Sequence, residues 1–188
     1  YLYGDMMKIA HFLSHLLNPS MLALVIFGVH GWRGDMVAAW VGIGVFSILP
    51  GVFLLLRLRR LDQLYPNNRG VRGVLLLQGV VCYGLGLGAL YQFGATPWAL
   101  ATGVIFIAHT LAIWWINRFW KISIHAAGVG GAICILLASI GLGAWPSVLC
   151  LPAIVWARLY LGVHTPWQVG AGAVLGLGFS ATIYYSFG

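Results

Sequence analysis

Apolar stretches broken by short polar ones run the length of the chain, and most are long enough to cross a hydrocarbon layer, which takes about 20 residues of helix. Seven such stretches can be read, at 11–31, 36–56, 73–92, 97–115, 124–143, 147–160 and 166–187. The first carries His11, His15 and Pro19, and the sixth is short and contains Pro152. Six spans with one re-entrant or surface helix is therefore the alternative count. The pattern predicts an all-α fold, a polytopic membrane bundle of six or seven transmembrane helices. No repeat of 20 to 50 residues divides the chain. No polar run or linker marks off a soluble domain, so residues 1–188 read as a single transmembrane domain. Gly172-x-x-x-Gly176 supplies a small-residue face suited to close helix packing.

Composition sharpens this picture. With 61% hydrophobic and 7% charged residues and a mean hydropathy of +0.95, the chain has too little polar surface to cover a water-soluble globule. The net charge of +7 sets ten Lys/Arg against Asp5, Asp35 and Asp62. On a soluble protein that balance would suggest nucleic acid; on a membrane protein it suggests anionic lipid headgroups or a phosphorylated substrate at the membrane surface. No nucleic-acid partner is expected. Cys82, Cys134 and Cys150 lie in apolar segments without metal-ligand spacing and read as small buried hydrophobes. No charged segment followed by a small-residue cleavage site reads as a signal peptide.

The polar connections fall into two groups. Residues 32–35, 93–96 and 144–146 contain one basic residue, Arg33, whereas 57–72, 116–123 and 161–165 and their borders hold nearly all the others. If the spans alternate, the second group shares one membrane face with the N-terminus. That face collects Lys8, Arg57, Arg59, Arg60, Arg69, Arg72, Arg118, Lys121 and Arg158. The positive-inside rule makes it the cytoplasmic face. Arg57, Arg59 and Arg60, a run at the end of a span, read as lipid-facing anchors; Arg72 fits that role or an anion site equally well.

The same alternation brings together Asp62, Arg69 and Arg72 from one connection, Lys121, Ser123 and His125 from the next, and Arg158, His164 and Gln168 from the last. Two histidines among fixed cations, with no cluster of carboxylates, suit phosphate rather than a divalent metal. Arginine offers a bidentate fork, lysine a point charge, and helix N-termini add N–H donors. Neither a metal nor a cofactor is expected. His11, His15, His30 and His109 read as hydrogen-bonded packing groups, although intramembrane ionisable residues are functional candidates by default. Thr165-Pro166-Trp167-Gln168 also reads as a capping box, with Thr at the N-cap, Pro at the first helical position and Gln at the third.

These residues resemble the motifs of the type 2 phosphatidic acid phosphatase and haloperoxidase superfamily, K-x6-R-P, P-S-G-H and S-R-x5-H-x3-D. Ile122-Ser123-Ile124-His125 stands where the second motif falls, and Ala157-Arg158, five residues and His164 where the third begins. Asp62, six residues and Arg69 keep the first motif's spacing two spans upstream. The resemblance covers about 57–188, with the spans of about 11–56 as an extension. Asp62 replaces the first-motif lysine, Gly70 the following proline, Ile122 and Ile124 the second-motif proline and glycine, and Gln168 the final aspartate.

The resemblance implies a metal-independent lipid phosphatase acting on a phospholipid monophosphate or a polyprenyl phosphate or diphosphate. His164 would form a phosphohistidine and His125 would protonate the leaving group. Arg69, Arg158, Lys121 and Ser123 would hold the phosphate oxygens, with Arg72 as a further candidate. Gln168 would orient His164. Lys121 would stand in for the missing lysine, and Asp62 would anchor an arginine. A lipid phosphotransferase and a non-catalytic membrane subunit binding anionic lipid are the alternatives.

Overall fold

In the computed structural model the backbone is described for residues 2–61 and 69–187, and the side chains for residues 4–56 and 70–187. The protein is an all-α bundle. Its helices are α1 (Leu2–Leu16), α2 (Pro19–Trp32), α3 (Met36–Val41), α4 (Leu49–Leu61), α5 (Arg69–Gln92), α6 (Pro97–Phe119), α7 (Ile124–Ile140), α8 (Cys150–Tyr160) and α9 (Pro166–Phe187). A π-helical stretch, Gly42–Ile48, joins α3 to α4, and a 3-10 stretch, Gly141–Leu149, joins α7 to α8. Among the described residues five helical stretches are long and apolar enough to cross a membrane, or six if α1 and α2 together count as one bent span.

Local chemistry sets several of the boundaries. Asn18, Asp35, Thr96 and Ser123 each cap a helix, their side chains accepting the N–H of Met21, Ala38, Ala99 and Ala126 respectively. Pro19 and Pro97 occupy the first turn, where a missing N–H costs nothing.

Two expectations about the spans change. The stretch at 11–31 is not one helix: α1 ends at Leu16, α2 starts at Pro19, and the two are bent by 50°. The Asn18–Pro19 pair is a start signal, and proline cannot donate the N–H that would carry α1 onward. The fifth and sixth stretches lie within one apolar helical run, Ile124–Tyr160, that doubles back. At Gly141 the backbone takes φ 65° and ψ −151°, a conformation open essentially to glycine alone. Ile154 of α8 then packs on Val129 and Ile133 of α7, which a straight run of 37 residues could not allow. Chain direction thus reverses between these stretches, as for two spans, but a 3-10 helix rather than a loop makes the turn.

Helices α7 and α9 lie side by side with their N-termini together. A Cβ added at Gly172 would stand 2.5 Å from the Ser123 carbonyl oxygen, one at Gly130 would stand 2.8 Å from that of Ala173, and one at Gly176 would run into that of Ala127. Backbone therefore meets backbone along this seam, the close packing read from Gly172 and Gly176. Around it the core is built of small layers, among them Ala126, Val169 and Ala173, and Leu76, Ile113, Ile122 and Ala127.

Candidate functional site

Where α7 and α9 begin, a cavity of about 700 Å³ opens into the bundle. Its polar end is lined by Arg72 of α5, Lys121 before α7, His125 in the first turn of α7, Arg158 near the end of α8 and His164 before α9. The five come from three connections, Arg72 from one, Lys121 and His125 from the next and Arg158 and His164 from the last, and the doubling back at Gly141 is what returns Arg158 to the end that holds His125. From there the cavity continues between apolar walls, including Leu75, Leu76, Tyr83, Ile105, Phe106 and Ile135. One compartment therefore joins a cationic end to a mostly apolar space.

The cations are built in rather than draped over the surface. Arg72 and Arg158 are 9% and 6% exposed, so lipid-facing anchoring does not describe Arg72. Its Nη2 donates to the carbonyl of Ile122 at 3.1 Å, which fixes the guanidinium beside the start of α7. Arg158 Nη1 donates to Ser14 Oγ at 3.3 Å. By contrast Arg118 is exposed, stacked 4.0 Å from the Trp114 ring centroid, and lies outside the cavity lining.

His164 is held by Gln168. Nδ1 of His164 lies 3.2 Å from Gln168 Oε1, and the backbone N–H of Thr165 donates to that same oxygen at 3.1 Å. Gln168 N in turn donates to Thr165 Oγ1 at 3.4 Å. The capping box and the contact with the histidine thus coexist. Because a backbone N–H can only donate, the atom facing Thr165 is the amide oxygen, and His164 must carry its neutral-state proton on Nδ1. Nε2 is left with its lone pair. Burial, then the charges of Arg158, Lys121 and Arg72, push the His164 imidazole down to about 4, against the opposing hydrogen bond to Gln168.

His125 is anchored differently. Its ring donates to the backbone carbonyl of Ser14, with Arg158 and His164 close enough to act on it electrostatically. Sequence reasoning missed Ser14, which is 1% exposed; the start signal at Asn18–Pro19 was the clue that the chain stops and turns there.

Ser123 is placed otherwise than the resemblance implies. Its side chain is fully buried and caps α7 by accepting from Ala126 N at 3.3 Å, and its backbone N–H donates to the Gln168 carbonyl at 3.1 Å. It joins the starts of α7 and α9 and does not line the cavity. The Asp62 expectation, and that for the Arg69 side chain, lie outside the described residues; the Arg69 backbone opens α5. Among the described residues no three His, Cys, Asp or Glu side chains cluster as a metal site would need.

The remaining histidines divide. His30 Nε2 lies 3.0 Å from Thr102 Oγ1 and His109 Nε2 lies 3.5 Å from Ser180 Oγ, so both are hydrogen-bonded packing groups. His11 and His15 are exposed on α1 rather than packed, and His15 borders the cavity. Comparison with protein-family models, curated proteins and solved structures returns no match.

Proposed function

We propose that the chain is a membrane-embedded lipid phosphatase that works through a phosphohistidine without a metal. The observation that carries this reading is the pairing of His125 and His164 with three cations at the head of an apolar cavity. Phosphate would sit among Arg72, Lys121 and Arg158, which balance its charge through the transition state. The N-terminal ends of α7 and α9 add their positive dipole ends. The lipid chain would run along the apolar walls.

His164 Nε2 attacks phosphorus in line, the bond from phosphorus to the lipid oxygen breaks, and His125 protonates that oxygen. Water then attacks the phosphohistidine, giving a proton to His125, and inorganic phosphate leaves with both rings restored. The Gln168 amide keeps Nδ1 protonated throughout, so the nucleophilic nitrogen is always Nε2.

Release of inorganic phosphate from a panel of phospholipid monophosphates and polyprenyl phosphates, with EDTA present, tests the proposal. Purified wild type should release phosphate from at least one of them. Release no faster than that of His164→Ala would sink it.

The site is proposed to face the cytoplasm, on the distribution of basic residues. Single cysteines replacing Trp167, exposed at the site end, and Phe93, exposed between α5 and α6, test this in sealed right-side-out vesicles. An impermeant thiol reagent should reach position 93 and spare 167; the opposite pattern reverses the assignment.

A further inference from the structure

The bend between α1 and α2 leaves backbone carbonyls without the partner four residues on that a continuing helix would supply. Their new partners are distinct. The Leu13 carbonyl keeps a helical bond from Leu17 N at 2.9 Å. The His15 carbonyl accepts from the Asn18 side-chain amide at 2.8 Å. The Ser14 carbonyl accepts from the His125 ring. The hydroxyl of that same serine, 1% exposed, accepts from Arg158 Nη1 at 3.3 Å. One residue of a helix outside the segment that carries the family resemblance therefore holds both a histidine and an arginine of the site.

We infer that Ser14 is a positioning residue, through which the break at Leu17–Asn18 sets the aim of His125 and Arg158. The inference rests on the phosphatase reading for its kinetic consequence. A carbonyl can accept a ring N–H whether the imidazole is neutral or charged, so His125 can gain and lose a proton on its other nitrogen without losing its anchor. The serine hydroxyl fixes one edge of the Arg158 guanidinium and so sets the plane of its fork at the cationic end of the cavity. Helix α1 is itself seated from two sides. Leu17, just past its end, is buried against Val129, Ile133 and Ile154, while Met6, Ile9, Phe12 and Leu16 form an exposed apolar stripe on its outer side. That stripe suits the hydrocarbon edge of the bilayer.

The test uses the full chain in detergent and two probes, inorganic phosphate and the best lipid phosphate of the panel. Ser14→Ala removes the hydroxyl and leaves the carbonyl, so it should fold. It should weaken phosphate binding about tenfold, the scale of a hydrogen bond to a charged group, and lower kcat by a similar factor with a smaller change in KM. In an Arg158→Gln background the same serine change should have no further effect on phosphate binding, because the two act as a unit. Unchanged phosphate affinity in Ser14→Ala would overturn the inference, as would losses that simply multiply in the double variant. If wild type binds phosphate but releases none from lipid, the phosphatase reading fails and Ser14 is judged on binding alone. A wild type that neither binds nor releases phosphate overturns both.

Discussion

His30 and His164 are the same side chain at opposite ends of one bundle, and their neighbours differ in kind. At the end marked by Trp32 and Asp35, His30 meets Thr102 Oγ1, which lies 2.9 Å from the Tyr184 hydroxyl and donates to the Trp98 carbonyl at 3.0 Å. Nearby, hydrogen bonds from Ala38 N and Thr96 N outweigh the effect of burial and hold the Asp35 carboxyl below its ordinary range. The direct partner of His30 is a neutral hydroxyl, and the two charges that reach it, Asp35 and Arg33, oppose one another. At the other end His164 faces Arg158, Lys121 and Arg72. Burial alone therefore does not distinguish a packing histidine from a chemical one; the charge and aim of its neighbours do.

The largest effect should come from exchanging the two histidines' fates. His164→Ala should cut phosphate release by about 10³-fold or more, as loss of a nucleophile does, with little change in thermal stability. His30→Ala should cost about 1–3 kcal/mol of stability, because Thr102 loses a buried partner, while release per folded molecule persists. Equal losses of activity in both would erase the distinction between the two ends.

A smaller effect separates the two contacts of Gln168. Gln168→Ala should slow phosphate release by about 10- to 100-fold, the worth of about 1.4–2.7 kcal/mol in the transition state, beyond any loss of folded protein from the broken cap. Retention of wild-type release by the folded variant would leave the amide a cap only. Gln168→Asp, which puts a carboxylate near Nδ1, should stabilise the charged ring.

The smallest concerns pH. With His164 pushed down to about 4, the ring stays neutral and nucleophilic at mildly acid pH, so its limb in kcat/KM should fall near pH 4 rather than 6.5. The unfolded chain binds that proton first, so the stability linked to the neutral ring is full above about pH 6.5 and is lost as pH falls toward 4. Lys121→Gln removes one of the depressing charges and should move the limb upward by less than one pH unit. A limb at 6.5 in wild type would mean that neither burial nor the cations depress the ring.

Much of this was legible in the sequence. The helix Pro166–Phe187 keeps the boundaries that hydropathy and the Thr165–Pro166 start signal give it. The convergence of Lys121, His125, Arg158 and His164 follows from counting crossings. Less legible were the elements whose direction, rather than composition, matters. Hydropathy sums over a window and cannot register a 50° break at Leu17–Asn18; it places the reversal between the fifth and sixth stretches but not the 3-10 helix that makes the turn. Ser14 escaped notice for a related reason: half its contribution is a backbone carbonyl, which every residue has, exposed for use only because a helix stops there. The Ser123 cap was hidden for another reason: a serine hydroxyl suits a phosphate and an N-cap equally well.

The glycine seam between α7 and α9 has a mechanical consequence. Side chains are compressible spacers that shift rotamer when a neighbour changes, but Gly172 and Gly176 place α9 against the main chain of α7 with nothing of that sort between. The histidines sit on either side of this rigid joint at its N-terminal end, one in the first turn of α7 and one just before α9. Their separation is therefore set like the gap of a fixed caliper. Lipid-facing positions on the same helices can be exchanged freely without the gauge drifting, whereas a single methyl group in the joint would reset it.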